Sequence, residues 1–102
     1  PSSVMVNTTT TVELVAATAA QRVYVCGFSL DNDTATTQLQ VMYGTGTLCA
    51  TDQTNLTGTY TVAALTLPNA GATQFQTAAG AALCLELNSN TQVNGHLTYL
   101  KY

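Results

Sequence analysis

Gln38-Leu39-Gln40-Val41-Met42-Tyr43-Gly44-Thr45-Gly46-Thr47-Leu48-Cys49 is the stretch that decides the fold class. Leu39, Val41 and Tyr43 alternate with Gln38, Gln40 and Met42, and a period of two belongs to a strand with one face turned inward. Gly44 and Gly46, each followed by a threonine, end the alternation and free the backbone for a turn or bulge. A second run, Ala81-Ala82-Leu83-Cys84-Leu85-Glu86-Leu87, again spaces its leucines two apart. With no helical stretch between them, these two strands set an all-β architecture.

Working outward, residues 22–30 read as a strand with Val23 and Val25 on one face and Tyr24, Cys26, Phe28 and Leu30 on the other. Apolar residues on both faces predict a central strand covered on both sides. Further strands are expected over 10–15, 59–67, 73–77 and 93–102, with Asp31-Asn32-Asp33 and Pro68-Asn69-Ala70-Gly71 as turns. Residues 51–58 read as polar and turn-like. The best helical candidate, 12–22, has no amphipathic stripe and carries β-branched residues. The expectation is a single-domain antiparallel β-sandwich or jelly roll of seven or eight short strands over 10–102, preceded by an extended arm over 1–9. Val4, Met5 and Val6 make that arm apolar. It is either an edge strand of its own domain or a segment that anchors on a neighbour, which makes these three the candidate interface residues.

Charge is the most informative part of the composition. Only 7% of the 102 residues are Asp, Glu, Lys or Arg, against roughly 25% in a typical soluble domain. Interfaces shed charge because burying an unpaired ion is costly. The deficit therefore points to an exterior that meets other protein, or else to a threonine-rich extracellular domain. Arg22 and Lys101 are the cations in a chain of net charge −3, so no basic patch serves phosphates and nucleic acid is not expected as a partner. No apolar run approaches the roughly 18 residues of a membrane span, and the first residues do not resemble a signal peptide.

Residues able to carry chemistry are few and scattered. His96 is the single histidine, and Ser29, His96 and an aspartate lack the local motif that exposes a strained nucleophile. Asp31 and Asp33, with Asn32 and Thr34, supply fewer oxygens than a calcium loop. Gly44-Thr45-Gly46 is too short for a dinucleotide fingerprint. The Asn-x-Ser/Thr triplets at Asn7, Asn32 and Asn55 are expected by chance in so threonine-rich a chain. No enzyme activity, cofactor or metal is expected. Cys26, Cys49 and Cys84 lack metal-binding spacing. They form either one disulfide and a buried thiol or three buried thiols, and Cys49 and Cys84 come within bridging distance if their strands are neighbours.

Val41-Met42-Tyr43-Gly44-Thr45-Gly46-Thr47 with Cys49, Leu56-Thr57-Gly58-Thr59-Tyr60, Gly80-Ala81-Ala82-Leu83-Cys84-Leu85 and Val93-Asn94-Gly95-His96-Leu97-Thr98-Tyr99 together resemble small virion proteins of tailed bacteriophages. These are jelly-roll cement or decoration proteins. The resemblance implies a homo-oligomer, a trimer, that binds the major capsid protein on the capsid exterior after synthesis in the host cytoplasm. It implies no active site. Related sandwiches in phage spikes and fibres keep a receptor- or glycan-binding module as the alternative.

Overall fold

The structure is a computed structural model that describes residues 2–32, 38–60, 64–67 (backbone), 75–88 and 91–102. Asp33 and the turn at 68–71 lie outside the described residues, as do parts of the strands expected over 59–67 and 73–77. Nine strands are present among the described residues: β1 (Ser2–Thr8), β2 (Val12–Val15), β3 (Val23–Asn32), β4 (Leu39–Thr45), β5 (Thr51–Asn55), β6 (Ala64–Leu67), β7 (Phe75–Gln76), β8 (Ala82–Leu87) and β9 (Val93–Lys101). A 3₁₀ turn, Thr47–Cys49, joins β4 to β5.

Two antiparallel sheets result. One runs β1-β9-β3-β6, with β7 also paired to β3, and the other runs β2-β8-β4-β5. Strands β6 and β7 lie along different parts of β3, opposite Phe28–Asp31 and Tyr24–Val25. This is the order in which a jelly roll wraps its chain between two sheets.

The core is the shared inner face. Val6, Val23, Val25, Phe28, Leu30, Val93 and Leu97 of the first sheet pack against Leu39, Val41, Leu83, Leu85 and Leu87 of the second. The two alternating runs pair directly, Leu39 opposite Leu87 and Val41 opposite Leu85. Removing water from these side chains is the main stabilising term, about 1.5–3 kcal/mol for each fully buried aliphatic residue.

Two expectations need correction, and one open choice is resolved. Strand β3 is not covered on both sides. Its register against β9 slips between Val25 and Gly27, a bulge at Cys26 that inserts one residue and reverses the parity of all that follow. Val23 and Val25 before the bulge thus join Phe28 and Leu30 after it in one core. Residues 51–55 form a strand rather than a turn; all five are exposed because β5 is a polar edge. Residues 2–8 pair along β9 from Ser2 opposite Tyr99 to Thr8 opposite Val93. Of the two roles left open for that segment, the structure shows the edge strand, and the count of strands rises accordingly.

Thr77 is a buried polar residue, 1% exposed. Its hydroxyl oxygen accepts from the Val23 amide at 3.0 Å, and its own amide donates to the Val23 carbonyl at 2.9 Å. Arg22 adds a guanidinium bond to the Thr77 carbonyl at 3.0 Å. Thr77→Val keeps the shape but strands the Val23 N–H away from water, so we expect a loss of about 1–3 kcal/mol. Chemical denaturation of the variant checks this, and an unchanged midpoint would contradict the role assigned to the hydroxyl.

Candidate interaction surface

The outer face of the β1-β9-β3-β6 sheet is built from the residues that alternate with the core set. Cross-strand rows run Asn7, Asn94, Asp31; Met5, His96, Ser29; and Ser3, Thr98, Gly27. Leu100 and Tyr24 form the next row, and the ring of Tyr102 stacks on Tyr24 with centroids 4.9 Å apart. Asp31 is the one acidic side chain in these rows, at their margin. Glu13, Glu86 and Asp52 sit on the other sheet. The two cations are committed elsewhere, Arg22 to Thr77 and Lys101 to the Ala16 carbonyl at 2.7 Å. What remains is a broad, nearly uncharged platform of small polar side chains, interrupted by exposed Met5 and Tyr102.

The triplet Val4, Met5, Val6 is divided by the strand that holds it. Val6 is buried and Val4 half-buried against the core, whereas Met5 is 79% exposed on the outer face. Val4 and Val6 thus belong to the core side of the edge, and Met5 stands alone on the platform.

Cys49 and Cys84 form a disulfide, and Cys26 is a buried free thiol. The bridge lies on the outer face of the second sheet, because Cys84 alternates with the inward leucines and pairs with Met42. Met42, Cys49, Ala82 and Cys84 form a second small core there. The 3₁₀ turn covers it by passing close over Gly44. A Cβ at that position would lie 2.8 Å from the carbonyl oxygens of both Cys49 and Thr51, so glycine is what admits the turn. Leu48 and Cys49 take left-handed φ values of 52° and 57° to make it.

Ser29 and His96 are cross-strand partners, and Asp31 lies two residues further along β3. This brings together the side chains a hydrolytic triad would use, but on an open sheet, with no side-chain hydrogen bond joining Ser29 to His96. A triad requires a base bonded to its nucleophile beside preorganised oxyanion donors. Among the described residues there is no pocket and no cluster of three or more His, Cys, Asp or Glu side chains placed to hold a metal ion. The cation reading of Asp31 and Asp33 falls partly outside the described residues. No helix among the described residues is long and apolar enough to cross a membrane.

Sequence reasoning missed the platform as a unit. Its signal was the outward half of each alternation, but the Cys26 bulge hid which half that was on β3. Comparison with known proteins adds no relatives: no family model, curated protein or solved structure matches the chain.

Proposed function

We propose that this protein is a structural component of a phage particle that binds the outside of the head and stabilises the shell by bridging capsomers. The observation that carries the reading is the platform on β1, β9 and β3, with Asp31 as its one acidic side chain. A rigid sheet face with few ions docks at low desolvation cost, since charged groups are the expensive ones to bury. Many such weak contacts add up when copies are linked, because the second contact forms at high effective concentration. The sequence resemblance to decoration proteins supports the same reading.

The test uses purified protein and emptied heads of the encoding phage. Binding saturates, and decorated heads rupture at a higher temperature than bare ones. Ser29→Glu with Thr98→Glu places charge in the platform and abolishes both effects, while Thr54→Glu on the exposed β5 of the other sheet leaves them intact. Failure of wild-type protein to bind heads would overturn the proposal. The glycan-binding alternative rests on the stacked, partly exposed Tyr24–Tyr102 pair. Saturable glycan binding lost in Tyr102→Ala would favour it.

A further inference from the structure

We propose that two copies of this chain pair edge to edge through β1, antiparallel about a two-fold axis at Met5, joining their first sheets into one continuous sheet. Among the described residues, β1, β6 and β7 edge the first sheet, and β2 and β5 edge the second. Exposed edges present unpaired N–H and C=O groups, and proteins guard them with charge, proline, bulges or brevity. Strand β2 is four residues long, carries Glu13 and has a register shift. Strand β5 carries Asp52 at φ 53° and pairs with β4 across a register shift. Strand β6 spans four residues and β7 two. Strand β1 has none of these guards: seven residues, no charged residue, no proline and an unbroken register along β9.

The chemistry of β1 also selects its partner. An isologous pair about a two-fold axis sets residue i against residue j and j against i. Centred on Met5, Ser-Ser-Val-Met-Val-Asn-Thr matches itself: Met5 faces Met5, Val4 faces Val6, Ser3 faces Asn7 and Ser2 faces Thr8. Apolar meets apolar and polar meets polar at every position. Val4, half-buried at this edge, gains the Val6 of the other copy and extends the core across the junction. A chain of net charge −3 meets its own copy here without opposing any ion, whereas self-pairing of β2 would bring Glu13 near its counterpart. Closure at two copies also separates this arrangement from the trimer implied by the sequence resemblance.

Met5→Lys and Met5→Glu test the pairing. At 79% exposure the side chain does not touch the core, so both variants keep the wild-type circular dichroism spectrum. Light scattering on the free protein should give a dimer for wild type. Like charges directly opposed across neighbouring strands should weaken association of each variant by about tenfold or more. Mixing the two variants in equal amounts should restore a dimer, because lysine then faces glutamate. Amides of residues 2–8 should gain hydrogen-exchange protection as wild-type concentration rises. A wild-type monomer, a trimer, or a dimer untouched by Met5→Lys would overturn the proposal. Because these measurements involve no capsid, their failure and a failure of head binding are separate results.

Discussion

Gly95→Ala abolishes folding or lowers the melting temperature by roughly 20 °C or more, at 4–8 °C per kcal/mol for a domain near this size. Gly95 sits in β9 opposite Leu30 of β3 with φ 148°, a conformation that L side chains rarely adopt. A Cβ there would lie 1.9 Å from the Ser29 carbonyl oxygen and 3.0 Å from the Leu30 Cα. These are backbone atoms of an interior strand, so no rotamer change relieves the overlap. The remedy is to part β9 from β3 at the middle of the sheet. A cost above about 4 kcal/mol is exceptional for one substitution, and it would consume much of the 5–15 kcal/mol that holds a typical domain together. Gly58→Ala is the control, since nothing lies within 4 Å of the added carbon and its effect should stay within about 0.5 kcal/mol. Equal melting temperatures for the two variants would contradict the close approach.

Loss of the Cys49–Cys84 bridge has the second largest effect. The cysteines are 35 residues apart, and in the chain-entropy picture closing a loop of that length removes about 4 kcal/mol of unfolded-state freedom. The Cys49→Ala/Cys84→Ala protein should therefore melt roughly 15–30 °C below wild type. Both cysteines are fully buried, so reductant acts slowly on the native protein and quickly once it is unfolded. Thiol titration gives an independent reading: of three cysteines, the unfolded, unreduced chain exposes the single thiol of Cys26. Three titratable thiols would contradict the bridge.

The legible parts of the fold were those in which one strand carries its own evidence. The 38–43 and 81–87 alternations predicted strands, and those strands are direct neighbours. The inward leucines also predicted that Cys84 points away from the main core, where it meets Cys49. Other features depend on a partner strand and leave no local trace. The bulge at Cys26 is a mismatch in count between β3 and β9, and the sequence of β3 alone shows it merely as apolar residues on both faces. Strand β5 is all polar because both its faces and one edge meet water, so alternation had nothing to mark. Gly95 reads as an ordinary residue until the Ser29 carbonyl stands beside it. The platform was illegible for the same reason. It is defined by which residues of β1, β9 and β3 fall in one row, and register is a property of pairs.

Strand β9 lies between β1 and β3, yet it is translated after both. A nascent chain therefore carries β1 and β3 off the ribosome with nothing to zip them together, and the first sheet cannot close before Val93–Lys101 has cleared the exit tunnel. Folding is thus deferred and then abrupt, dominated by contacts between distant parts of the chain, which makes it slow. Until that moment the valines of β1 and β3 are open to collision with other nascent chains.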